Sequence, residues 1–193
     1  MLLKSEDKDK SNPKSYRPIC LLSTISKTLE RLLSNSLRPV FLDPGYASSR
    51  QYGYCENRST TDLITEVLSQ VDNTPDRMML AVLFNVTGAF DNLKWDNIKT
   101  ALKNRGIPGD LLSLVGSYLS DRQVTSFGAG IKFTHRLTKG CPQGSILGPS
   151  FWNLCPDDLL RVISDAGGNA YMYADDLILL VSGNSREEIE MRA

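Results

Sequence analysis

Apolar residues recur at helical spacing from Thr24 to Phe41, through Ile25, Leu29, Leu32, Leu33 and Leu37,. Ser23 or Thr24 can cap the start of this helix, and Pro39 kinks or ends its last turn,. The stretch from Leu42 to Arg58 is rich in Gly, Pro, Ser and Asn and reads as loop,. Ser59-Thr60-Thr61-Asp62 is a capping box opening a second helix, with Leu63, Ile64, Val67, Leu68 and Val71 on one face,. Met78 to Val86 is almost wholly apolar and predicts a buried strand whose one polar residue is Asn85,. Two helices follow, Phe90 to Arg105 and Pro108 to Asp121, broken at Gly106-Ile107-Pro108, with Pro108 in a first helical turn,. Gln123 to Thr134 predicts a hairpin around Gly128-Ala129-Gly130,. Ser145 to Ser164 is apolar and helical in part, interrupted by Pro149 and Pro156. Ala170 to Ser182 is a second hairpin, two apolar arms around a polar tip. There is no internal repeat and no linker, and strands do not alternate regularly with helices, so the class is α+β.

Composition narrows the function classes. The 193 residues suit one compact domain, and a 41% hydrophobic and 23% charged share is ordinary for a globular protein,. Lys+Arg and Asp+Glu are both 22, so the net charge is zero. That argues against a purely electrostatic grip on nucleic acid and leaves room for a local basic track. Residues 1–18 carry such a bias, from Lys4, Lys8, Lys10, Lys14 and Arg17, although composition alone favours a solvated tail,. Cys20, Cys55, Cys141 and Cys155 form no C-x-x-C pair, and His135 is the only histidine. A zinc site is therefore disfavoured, and His135 reads as a surface strand residue. The lysine-rich start has no apolar core of a signal peptide. No apolar run approaches the ~20 residues that span a bilayer. The expectation is a soluble, reducing, intracellular protein with no membrane partner.

Asp175 and Asp176 sit between two apolar arms. Two adjacent carboxylates are costly to bury without a counterion, and Mg²⁺ with its preference for carboxylates, water and phosphates is the natural one. Alone, the dipeptide is more often an ordinary turn. A third acid from a neighbouring strand would complete a two-metal site for phosphoryl transfer. Asn85 stands on that strand as an amide. Asp91, six residues later, has an adequate role at a helix start,. Lys139 to Ser145 forms a Gly- and Pro-containing loop entering a helix, where backbone N–H groups can bind phosphate and Gln143 can donate and accept,. Arg17 precedes Pro18, where a guanidinium could neutralise a triphosphate; alone it is a surface charge,.

Singly these motifs are weak, but their order is specific. The chain resembles the reverse transcriptase domain of non-LTR (LINE-type) retrotransposons. The resemblance rests on SYRPICLLSTISKTLERLL, QYGY with RSTTDLI, NVTGAFDN, SYLSDRQV, GCPQGSILGPSFWNL and AYMYADDLILL, and runs from about Leu3 to about Ser185. It implies a right-hand polymerase, with fingers segments over 1–77 and an incomplete palm over 78–193, truncated before the thumb. It implies RNA-directed DNA synthesis from an RNA template, a DNA primer and deoxynucleoside triphosphates, with two Mg²⁺ ions. Asp175 and Asp176 match the family's acidic pair, and the main-chain carbonyl of Val86 a further metal ligand. Phe90 matches the aromatic that crowds the sugar 2′ position. Gln143 and Gly144 match the loop that contacts the incoming nucleotide, and Arg17 a fingers motif near template or nucleotide. Nuclear action, and missing polyprotein segments such as a thumb and an endonuclease, follow from the resemblance alone.

Asn85 departs from the family, which has an aspartate bridging both metals there. An amide supplies one neutral oxygen and removes a charge, so ion affinity and geometry both suffer. The expectation is a reverse transcriptase fragment with impaired catalysis. The alternatives are a catalytically dead nucleic-acid-binding remnant and, from another class, a two-metal nuclease or a phosphate-binding α/β enzyme.

Overall fold

A computed structural model describes the chain except Met1, Lys8, Pro13, Lys14, Pro18, Ala129 and Ala193. Lys8 and Lys14 of the basic tail, the Pro18 turn and Ala129 of the first hairpin's tip therefore lie outside the described residues.

The chain opens with two short antiparallel strands, β1 (Leu2–Leu3) and β2 (Tyr16–Arg17). Helix α1 spans Thr24–Phe41, and the Ser23 hydroxyl caps it by accepting from the Ser26 N–H. Pro39 sits within its last turn rather than ending it. Helix α2 (Thr60–Asn73) carries the expected capping box, Ser59 and Asp62 bonding reciprocally,. Strand β3 is Met78–Asn85. The expected helix after Phe90 divides into α3 (Ala89–Asn92) and α4 (Trp95–Asn104). Helix α5 is Gly109–Leu119, with Pro108 as its N-cap, just outside the first turn. Strands β4 (Gln123–Gly128) and β5 (Ile131–Arg136) form the first hairpin, with His135 exposed on β5. Helix α6 runs unbroken through Gly148–Asp165. Pro149 falls in its first turn, where no N–H is needed. Pro156 is buried among the packed residues Phe151, Trp152, Leu154 and Leu160, which hold the helix together across it. Strands β6 (Asn169–Tyr173) and β7 (Asp176–Gly183) form the second hairpin, and α7 is Arg186–Arg192.

The central sheet has the order β3-β7-β6, antiparallel throughout. Leu63 of α2 packs against Tyr171 and Leu180 on one face. Leu160 of α6 packs with Ala170 and Met172 on the other. Both helices lie over the β6 side. Strand β3 is thus an edge, not the buried strand its composition predicts, and Leu83 is 74% exposed. An apolar run does not distinguish a covered strand from an uncovered one.

A larger helical core joins α1, α3, α4, α5 and α6 through Leu33, Leu37, Ile98, Leu102, Val115 and Phe151. On α1 the buried stripe is Glu30, Leu33 and Leu37, whereas Ile25 is 83% and Leu32 62% exposed. The inward face is therefore turned from the one read in the sequence. Glu30 explains the shift. Its carboxylate is fully buried, accepts from the Ile146 N–H at 2.6 Å and from the Tyr118 hydroxyl, and so ties α1 to the loop before α6. Burial, with the Glu30 bond second, pushes the Tyr118 hydroxyl up to about 12.

Arg105, at the end of α4, and Asp157 of α6 form a buried ion pair at 3.4 Å. The Ser48 N–H donates to the same carboxylate at 3.1 Å, and the guanidinium lies over the Tyr46 ring. No helix of the described residues is long and apolar enough to cross a membrane.

Candidate active site

Strands β3 and β7 pair so that Asn85 lies opposite Asp176. Tyr173 pairs with Asp176 across β6 and β7, leaving Ala174-Asp175 as a two-residue turn. Ala174 takes the left-handed conformation, φ 57°. The Val86 N–H donates to the Asp175 carbonyl at 2.9 Å and pins the turn to the end of β3. Asn85, Val86, Asp175 and Asp176 therefore converge at one end of the sheet. Asp176 is exposed and Asp175 half-buried, so water relieves the desolvation cost that the apolar flanks suggested,.

The Asn85 side-chain N–H donates to the Asp176 carboxylate at 2.9 Å. The amide thus faces the acid with its donor end. Two carboxylates in this arrangement would repel unless a cation lay between them; an amide and a carboxylate attract without one. Among the described residues no group of three or more His, Cys, Asp or Glu converges to hold a metal ion. Asp175 and Asp176 supply carboxylate oxygens of the kind a hard divalent cation takes. Asn85 adds no charge to them, its neutral amide being engaged with Asp176.

Phe90, on α3, is half-buried beside this end of the sheet. Its ring stacks on Trp152 at 6.2 Å and meets Tyr54 edge-on at 5.7 Å. The Trp152 indole N–H donates to the Ala174 carbonyl at 2.9 Å, connecting the aromatic row to the acidic turn. The loop from Lys139 to Leu147 is bound to the same helix. The Cys141 N–H donates to the Phe90 carbonyl at 2.9 Å and the Gly140 N–H to the Leu93 carbonyl at 2.7 Å. Gly140, φ 88°, lies so close to the Asp91 carbonyl that a Cβ would sit 2.9 Å from it. The Gln143 main-chain carbonyl accepts from the Cys20 N–H at 3.2 Å, which brings the segment after Arg17 against this loop. Arg17 itself is exposed on β2. Burial pushes the Cys141 thiol up to about 12, which removes it as a nucleophile,.

Sequence reasoning treated QYGY as loop, yet it supports the turn. The Tyr52 N–H donates to the Met172 carbonyl at 2.8 Å, and the Met172 N–H to the Arg50 carbonyl at 2.9 Å. Gln51 makes a parallel bridge to Met172. A Cβ on Gly53 would stand 2.0 Å from the Ala174 nitrogen. Gly53→Ala is therefore expected to displace the turn and to cost about 3 kcal/mol. Thermal melts give the loss, and amide exchange at Ala174 and Asp175 shows whether it is centred there. The findable signal was a glycine between aromatics in a segment with no other reason to be tight.

A cavity of about 560 Å³ lies between α1, the 44–58 loop and α6. Arg38, Tyr54, Arg58, Asn153 and Asp157 line it, and neither Asp175 nor Asp176 does.

A family model described as reverse transcriptase (RNA-dependent DNA polymerase) matches residues 6–192. The chain belongs to the reverse transcriptase family. It is 36% identical over 189 residues to a putative 115 kDa protein in the type-1 retrotransposable element R1DM of Drosophila melanogaster. It is 33% identical over 190 residues to a retrovirus-related Pol polyprotein from a type-1 element R1 of Bradysia coprophila. Each match covers 98% of this chain but only 18% and 19% of the relative, so the chain spans about a fifth of their length. These relatives place it with the reverse transcriptases of non-LTR retrotransposons. A telomerase from Candida tropicalis, solved with a fragment of telomeric RNA, superposes with a TM-score of 0.60 over 88% of this chain and 30% of that one, at 12% identity. The fold is accordingly that of reverse transcriptase fingers and palm.

Proposed function

We propose that this chain is the fingers (1–77) and palm (78–193) of an RNA-directed DNA polymerase from a non-LTR retrotransposon, with nucleotidyl transfer disabled at Asn85. The observation that carries this is the bond from the Asn85 amide to Asp176. Asp175 and Asp176 hold the family's acidic pair in place. The amide satisfies Asp176 directly, where an active site would leave it to a cation. Phe90 walls the sugar side of a deoxynucleoside triphosphate. Gln143 and Gly144, tied to α3 through Cys141, face that nucleotide, and Arg17 approaches it or the template strand. When bound, divalent ions supply charge neutralisation at the phosphates. Bridging two of them is the function Asn85 does not supply. The RNA template and DNA primer then lie along the uncovered side of the sheet. Nuclear action and the partner segments of a longer polyprotein follow the same reading.

Primer extension tests it. With an RNA template, an annealed DNA primer, deoxynucleotides and Mg²⁺, purified protein is expected to give little or no extension. Robust, processive extension would show that Asn85 is no lesion. Fluorescence anisotropy on the same RNA–DNA duplex, at low and physiological salt, separates the second reading. Salt-sensitive binding without extension marks a nucleic-acid-binding remnant.

A further inference from the structure

Tyr54 occupies a backbone conformation that its side chain makes unfavourable, φ 58°. A bulky residue persists there only where its surroundings over-determine it, and such sites gather where function uses the strain. The residue is 51% exposed, so core packing does not explain it. What the conformation achieves is contact. Gly53 lies directly against the Ala174 backbone, its N–H donating to the Gln51 side chain and its carbonyl accepting from Asn153 at 3.0 Å. The next residue must therefore leave that contact in one direction, and the left-handed turn sends the Tyr54 ring onto Phe90, edge-on at 87°. Phe90 also stacks on Trp152, their ring centroids 6.2 Å apart. Burial, with the nearby Asp175 charge second, raises the Tyr54 hydroxyl above its ordinary value and keeps it neutral at working pH.

We infer that Tyr54 is a positioning residue that braces Phe90 against Trp152, and that this brace sets discrimination between deoxyribose and ribose. The inference rests on the nucleotide site proposed above. A wall that rejects a 2′-hydroxyl must not yield by the width of an oxygen. Phe90 sits on a helix of only four residues, α3, which cannot supply that stiffness. The edge-on contact with Tyr54 and the stacked contact with Trp152 both hold the ring, and both partners are tied to the Ala174 turn, Trp152 directly and Tyr54 through Gly53. Loss of either support lets the ring swing away and admits the ribonucleotide.

The experiment uses the full chain labelled with 4-fluorophenylalanine. Six phenylalanines give six fluorine resonances, and Phe90→Leu assigns one. In Tyr54→Ala the Phe90 resonance is expected to shift and narrow as the ring gains freedom. Tyr54→Phe, which keeps the ring and loses only the hydroxyl, should retain the parent signal. Thermal melts confirm that each variant is folded. Equilibrium binding of dATP and ATP in Ca²⁺, which permits binding without turnover, gives the second readout. The parent chain and Tyr54→Phe should favour dATP by about fivefold or more, and Tyr54→Ala should bring the ratio below about twofold. The dATP affinity itself should stay within about twofold, because uniform binding is not what a wall supplies. An unchanged Phe90 resonance in Tyr54→Ala overturns the brace. A shifted resonance with an unchanged dATP-to-ATP ratio overturns its role in discrimination. Binding of neither nucleotide by any variant overturns the proposed nucleotide site and the discriminating role with it, while the fluorine signal still decides the brace.

Discussion

Asn85→Asp makes the stability of this protein depend on divalent ions. In EDTA the substituted carboxylate faces Asp176 across β3 and β7, where Asn85 now donates a hydrogen bond. The lost bond and the new like-charge pair together lower stability by about 1 kcal/mol, some 2–4 °C in a chain of this size. Mg²⁺ or Mn²⁺ reverses the sign, because ligand at about 100 times its Kd adds about 2.7 kcal/mol to a folded state that alone binds it. The unsubstituted protein shows little response, and Asn85→Ala loses the bond without gaining the ion. In primer extension the restored carboxylate should raise the rate by about 10³, or about 4 kcal/mol of transition-state stabilisation. Equal melting of the aspartate variant in EDTA and in Mg²⁺ would show that the amide is not what separates this site from its cation.

The second large effect lies away from the acids. Arg105→Met strands the Asp157 carboxylate among buried neighbours and should cost about 3–5 kcal/mol at pH 7,. The pH dependence identifies the cause. Burial already raises the Asp157 pKa from 3.8 to about 6 against the pull of the Ser48 N–H and Arg105. The folded state therefore holds this proton more tightly than the unfolded chain between those values. Its contribution to stability falls as pH rises through that window and stays low above it. Without Arg105 the folded pKa moves higher, so acidification from pH 7 to pH 5 should recover part of the loss. Urea melts at the two pH values measure it. Arg105→Met with Asp157→Leu removes both charges and should recover most of the stability. A double variant as weak as the single would place the loss in packing against Tyr46 instead.

The elements were legible where local chemistry decides them. Ser59 and Asp62 form the capping box, Ser23 caps α1, and the YADD turn falls between two strands, as the polar tip between apolar arms implies. The family was legible in the order of its motifs. What was not legible depended on neighbours far along the chain. The apolar run of β3 gave no sign that α2 and α6 both lie over β6. The stripe of α1 was misplaced because Glu30, polar in any sequence reading, is buried by two partners more than eighty residues away, Tyr118 and Ile146. Asn85 could be recognised as a departure from the family, but not as a donor to Asp176. Tyr54 and Gly53 read as loop because their partners are Phe90 and Ala174.

The contact of Gly53 with Ala174 spans 121 positions of chain (174 − 53). Pairing of β3 with β7 likewise closes a loop of about ninety residues, from Asn85 to Asp176. Closure entropy rises only slowly with loop length, but non-local contacts repay it late, so they slow folding more than they weaken the fold. The acidic turn can form as a local hairpin early and still lack its floor until the first quarter of the chain arrives beneath it. Its final geometry is thus among the last events of folding, and a growing chain completes it only once both distant segments are present.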